Sequence, residues 1–209
     1  QTCALPICLY FFSGGKGQYL VKNKKMTAPS FDSFGWLWVA ESDGAVRAYN
    51  AASTNEKERS KGIEIPVSWR SGMTFSSLRI SHDGARVVVV GTRDGTAAVV
   101  MSGVVRDSSG TPKGFTEPVR VTSSITPRTA VWAGEQNLVV VNDKTGESEV
   151  TTLSGEETKF DRLDGVKSVS AAGNTSNMLA HRSDGSCYVL EERGWNRLNT
   201  STREMSFAG

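Results

Sequence analysis

Ser81, His82 and Asp83 stand in one run, Ser81-His82-Asp83-Gly84, and supply the three side-chain types of a hydrolytic triad. A nucleophile and its base must converge from fixed positions, whereas neighbours along an extended chain point to opposite faces. The run therefore reads as a turn between two strands, and no catalysis is assigned to Ser81 or His82. The other histidine, His181, alternates within an apparent strand and is read as packed at an interface or exposed, with no metal-ligating role. Asp43, Asp83, Asp94 and Asp184 each immediately precede a glycine, a placement that suits Asx-type turn bonding better than acid–base work. No Asp-x-Asp-x-Asp-Gly loop offers calcium ligands, and no CxxC or Cys/His spacing offers a zinc site. Gly14-Gly15-Lys16-Gly17 lacks the spacing, the following Ser/Thr and the helix of a phosphate loop, and reads as a hairpin turn. The sequence thus assigns no catalytic, cofactor-binding or metal-ligating residue.

Five tryptophans, Trp36, Trp38, Trp69, Trp132 and Trp195, are the remaining residues able to line a ligand site, for a carbohydrate or a peptide. Their similar places in a repeat argue instead for wedges between sheets, where large rings fill a widening gap. Cys187 is expected to be a small buried hydrophobe within a strand.

The elements that must position these residues are strands. No window of a dozen residues keeps apolar positions at helical spacing, whereas short apolar or alternating runs separated by Asp-Gly, Asn and Gly recur throughout. Turn glycines Gly44, Gly95, Gly146 and Gly185 follow one another at intervals of 51, 51 and 39 residues. Each sits between two apolar runs, as a tight hairpin requires, because glycine adopts positive φ without a Cβ clash. A further strand is expected before each hairpin, at 28–32, 77–81, 128–133 and 167–172, and another after it, at 63–69, 118–123, 158–163 and 195–200. Four antiparallel strands per unit of 40 to 50 residues is the period of a β-propeller blade. Residues 9–22 look like the outer hairpin of a preceding blade. The expected fold is all-β, a partial β-propeller of about four complete four-stranded blades plus half a blade. A closed four-bladed ring with a decorated N-terminus and a β-sandwich are the alternatives. Segments 50–62 and 106–114 read as long polar loops suited to partner contacts on a rigid scaffold.

Composition narrows the function classes. The 209 residues are 38% hydrophobic and 22% charged, with 21 glycines, which describes a globular, loop-rich chain and excludes disorder, collagen and coiled coil. Twenty-four Lys and Arg against 22 Asp and Glu leave a net charge of +2. The charges are scattered, so no nucleic-acid partner is expected. Residues 4–12 are apolar but broken by Pro6, too short for a bilayer span of about 20 residues, and no basic leader precedes them. Leu5-Pro6-Ile7-Cys8 ends as a lipobox does, yet signal peptidase requires small residues before the cysteine, so no lipidation residue is assigned in this chain. Residues 1–7 are similar to the peptide encoded by a sequencing adapter read in frame. Residues 1–8 are therefore expected to be non-native or disordered, with the propeller occupying 9–209.

Pro29-Ser30-Phe31-Asp32-Ser33-Phe34-Gly35-Trp36-Leu37-Trp38, Leu78-Arg79-Ile80-Ser81-His82-Asp83-Gly84-Ala85-Arg86-Val87, Gly103-Val104-Val105-Arg106-Asp107 through Gly110, and Val131-Trp132 form an ordered set. This set resembles the C-terminal β-propeller of the LpqB family of actinobacterial lipoproteins, over residue 9 to the C-terminus, where Phe207 shortly precedes Gly209. The resemblance implies a parent protein lipid-anchored on the outer face of the cytoplasmic membrane, with a sporulation/germination-type domain before the propeller. It implies an accessory role to the MtrA–MtrB two-component system through contact with the sensor histidine kinase's extracellular domain, in cell-envelope homeostasis. It carries over no catalytic residue, no cofactor and no enzymatic activity. The rival expectation is a propeller associated with a hydrolase or a carbohydrate-binding protein. Because the early blades are expected to be missing, the chain alone should expose sheet edges and aggregate.

Overall fold

The computed structural model describes residues 8–13, 15–22, 25–41, 44–121, 123–153, 162–171, 178–191 and 194–198. They form five antiparallel sheets in chain order. The first is a hairpin of β1 (Cys8–Ser13) and β2 (Lys16–Lys22). The second has the order β3-β4-β5-β6, from Ser30–Phe31, Trp36–Ala40, Val46–Asn50 and Ile63–Ile65. The third holds β7 (Thr74–Ile80), β8 (Arg86–Arg93) and β9 (Thr96–Arg106), and its fourth position is shared by β10 (Pro112–Phe115) and β11 (Val119–Val121), which both pair with β9. The fourth holds β12 (Pro127–Ala133), β13 (Asn137–Asn142) and β14 (Ser148–Thr152). The fifth has the order β15-β16-β17-β18, from Val166–Ala171, Met178–Arg182, Cys187–Glu191 and Gly194–Arg197.

The repeat read from the turn glycines is therefore present, with differences. Gly44, Gly95, Gly146 and Gly185 all have positive φ, and Asp94 shares it at 50°, so β8 and β9 are joined by a two-residue turn with both central residues left-handed. The strand expected at 28–32 shrinks to Ser30–Phe31, because Asp32 leaves the ladder to bond the turn that follows. Segment 106–114 is a loop only over 107–111. β9 runs to Arg106, the chain turns around Asp107, and β10 returns along it. Segment 50–62 holds a short helix, α1 (Glu56–Lys61), capped by the Asn55 side chain on the Lys57 N–H. Of the strand expected at 158–163, Leu163 bridges Ser148, while 154–161 lie outside the described residues. So do residues 1–7, Gly14, Asp43 and 206–209.

The second strand of each sheet explains how the sheets stack. β4, β8 and β13 contain continuous runs of buried residues, which a strand needs when both its faces meet another layer. Four apolar clusters fill four successive seams: hairpin to second sheet, second to third, third to fourth, and fourth to fifth. None of these clusters joins the fifth sheet back to the hairpin. β16 accordingly alternates, with Met178 and Ala180 buried and Leu179 and His181 exposed.

Candidate functional site

The residues singled out by type do not assemble into a catalytic set. Ser81 is buried, and its Oγ donates to Asp83 Oδ1 at 2.5 Å while accepting the Arg86 N–H at 2.9 Å, which closes the 81–86 turn. His82 is exposed beside it, and its carbonyl accepts the Ser33 N–H at 2.9 Å, tying two sheets together through main chain. Asp83 Oδ1 also accepts from the Ala85 N–H. Partial burial pushes the Asp83 carboxyl up, but the bonds from Ser81 and Ala85, with Arg86 nearby, outweigh it and hold the group below the usual carboxylate range. Asp184 does the same in its turn, where the Ser186 hydroxyl and N–H hold it low. These are Asx turns. His181 is exposed on β16 opposite Cys187, which is half-buried rather than enclosed, because among the described residues nothing covers the outer face of the last sheet. Gly15, at φ 75°, lies in the β1–β2 turn. Among the described residues, no group of three or more His, Cys, Asp or Glu side chains could hold a metal, and no helix is long and apolar enough to cross a membrane.

The tryptophans lie at the seams. Trp36 and Trp38 are buried between the second and third sheets, where Trp69 also packs. Trp38 and Trp69 both lie against Phe115 of β10, with ring centroids 6.0 and 6.3 Å apart. Trp132 fills the next seam and donates its Nε1 proton to the Arg79 carbonyl at 3.0 Å. Trp195 packs in the last, with Nε1 buried and unpartnered among the described residues.

What residue type alone does not single out is the centre of the second-to-third seam. The Asp32 side chain is fully buried and Arg106 nearly so, and Arg106 Nη2 donates to Asp32 Oδ2 at 2.6 Å. Asp32 Oδ1 accepts the Phe34 and Trp36 N–H groups at 2.9 Å each, and Oδ2 accepts Trp38 Nε1 at 2.8 Å. Arg106 further donates to the carbonyls of Gly84 and Gly110, and its guanidinium lies 4.4 Å from the Phe34 ring centroid and 5.7 Å from that of Trp38. Gly84 (φ 68°) has to be glycine, since a Cβ there would stand 2.9 Å from Arg106 Nη2 and from the Phe34 ring. One arginine thus binds the β3–β4 corner of one sheet to the 81–86 turn and the β9–β10 hairpin of the next, with every oxygen of the carboxylate bonded. This satisfies a buried ion pair that would otherwise be costly.

The first strands of the four larger sheets, or the residues flanking them, converge on one cavity of about 510 Å³, lined by Phe31, Arg79, His82, Trp132 and Ser170 among others. A sheet stack whose first strands surround a common axis is the architecture of a β-propeller, here an arc of one. Solved structures share it. Regucalcin of Agrobacterium tumefaciens, a calcium-binding protein, superposes with a TM-score of 0.52 at 12% identity, covering 88% of this chain and 62% of that one. A chain of the mitotic checkpoint complex gives 0.51 at 13%, covering 94% and 74%. At this identity they establish the fold alone. Residues 9–205 match the model of the lipoprotein LpqB β-propeller domain, and the chain belongs to that family. Lipoprotein LpqB of Streptomyces avermitilis is 27% identical over 130 residues, 60% of this chain and 20% of that protein. The chain thus spans about a fifth of the length of the curated relative it matches.

Proposed function

We propose that this chain belongs to a non-catalytic, extracytoplasmic interaction module of an LpqB-type lipoprotein, held at the membrane by the parent's lipid anchor. In this reading it is accessory to the MtrA–MtrB two-component system, and its partner is the extracellular domain of the sensor histidine kinase. Family membership supports the lipoprotein setting. The observation that carries the interaction reading is the β3–β4 corner. Phe31 and Phe34 are 57% and 51% exposed on either side of the fully buried Asp32, on a turn that the Arg106 lock fixes in place. Large apolar side chains presented on a rigid backbone bind a protein surface with little ordering cost.

Biolayer interferometry of the protein against the isolated extracellular domain of the kinase tests the proposal. Saturable binding that falls tenfold or more in Phe31→Ser is the expected result. Phe31 makes no lock contact, so that variant should retain the native melting profile. No binding, or binding undiminished by Phe31→Ser, would overturn the assignment of this corner.

A further inference from the structure

Arg79 is a cation held in the wall of the axial cavity without a counter-ion among the described residues. Its Nη1 donates to the carbonyls of Ala28 and Leu78, at 2.7 and 3.0 Å. Among the described residues no carboxylate pairs with it, and Nε and Nη2 make no hydrogen bond. The carboxylate closest in kind, Asp32, also borders the cavity but is wholly occupied by Arg106, Trp38 and two main-chain N–H groups. Burial alone pulls the Arg79 guanidinium below its ordinary pKa, the mark of a charge deprived of water and not yet compensated. Its backbone is fixed as well, since its carbonyl accepts Trp132 Nε1 from the next sheet.

Nε and Nη2 form the side of the guanidinium fork that takes two oxygens of one oxyanion in parallel. The same cavity is lined by Phe31, which is 57% exposed, and by Trp132, His82 and Ser170. The cavity, at about 510 Å³, falls within the range of small-molecule sites, roughly 300–1,000 Å³. We propose that the axial cavity binds a small ligand whose oxyanion, a carboxylate or a phosphate, sits on Arg79 and whose flat or apolar body lies against Phe31 and Trp132. This site shares Phe31 with the protein contact proposed above, but its oxyanion seat on Arg79 stands independently of the identity of that partner.

The test is ligand-observed NMR with the full chain, using benzoate and phenyl phosphate as probes and benzyl alcohol as the neutral control. At least one anionic probe should bind, benzyl alcohol at least tenfold more weakly. Binding of benzoate alone assigns the oxyanion as carboxylate, and binding of phenyl phosphate alone as phosphate. Arg79→Gln should weaken binding tenfold or more, and Arg120→Gln, an exposed arginine away from the cavity, should leave it unchanged. Ala171→Trp, at an exposed cavity-lining position on β15, should block binding without touching Arg79 or its bonds, so the proposal stays testable even where Arg79→Gln disturbs folding. Equal binding of the neutral control, no binding of either anion, or binding unaffected by Ala171→Trp would overturn it.

Discussion

The seam between the second and third sheets and the seam between the fourth and fifth bury comparable apolar clusters but are fastened differently. In the former, Asp32 and Arg106 connect a corner, a turn and a hairpin that lie far apart in sequence, and both carboxylate oxygens are bonded. In the latter, the links across sheets are Arg128 donating to the Val166 and Lys167 carbonyls and the Val166 N–H bonding the Gly146 carbonyl. Trp69 Nε1 in the former seam is buried and unpartnered among the described residues, as Trp195 Nε1 is in the latter. The second strands differ in parallel: β4 is buried along its whole length, β16 on one face only. The apolar effect supplies cohesion at both seams because it is non-directional. The bonded ion pair adds a fixed register between sheets, which apolar packing alone does not impose.

Four changes should break or sharpen this contrast. Asp32→Ala removes one partner of a buried pair and leaves Arg106 charged and unpaired, so urea denaturation followed by tryptophan fluorescence should register a loss of about 3–5 kcal/mol. Next, Val140→Ala in β13, at a fully buried position, should cost about 2 kcal/mol. Leu179→Ala on the open face of β16, where the side chain is 38% exposed, should change stability by less than about 0.5 kcal/mol. A large effect at Leu179 would mean that this face is covered in solution. Between the Val140 and Leu179 effects in size is the tryptophan pair. Trp132→Phe gives up the bond to the Arg79 carbonyl and should cost about 1 kcal/mol more than Trp195→Phe, whose indole nitrogen has nothing to lose.

The smallest effect concerns acid. The Asp83 and Asp184 carboxyls are held below their usual range in the folded chain. The stability they contribute is therefore present above the ordinary carboxylate pKa, about 4, and is lost as pH falls toward their lower folded values. Ser186→Ala removes the largest cause of the Asp184 shift, so a carboxyl-detected NMR titration should move Asp184 back up while Asp83 stays put.

Much of this architecture is legible in the sequence, and the reasons it is not all legible are local. The turn glycines reveal the repeat because positive φ restricts residue choice at each hairpin. The continuous run Val87 to Val90 announces a strand buried on both faces. α1 escapes because its six residues include no buried one and so carry no periodic signal. β10 escapes because Pro112 and Gly114 interrupt any strand pattern, and its pairing is set by β9 across an irregular register. Asp32 and Arg106 both lie in the segments that carry the family resemblance, yet nothing local joins residues 74 positions apart. A buried-type aromatic run beside an unexplained aspartate, with an arginine at the end of a long strand, is the signal that would have paired them. Arg79 is likewise silent in sequence, because its isolation from carboxylates arises only when four sheets meet.

The central claim is that Asp32 and Arg106 act as one unit in joining two sheets. A double-mutant cycle of Asp32→Asn and Arg106→Met, read by urea denaturation, measures this directly. The expected coupling is about 1–3 kcal/mol, with the double variant more stable than the sum of the single losses predicts. Losses that add to within about 0.4 kcal/mol would show two independent residues and contradict the account.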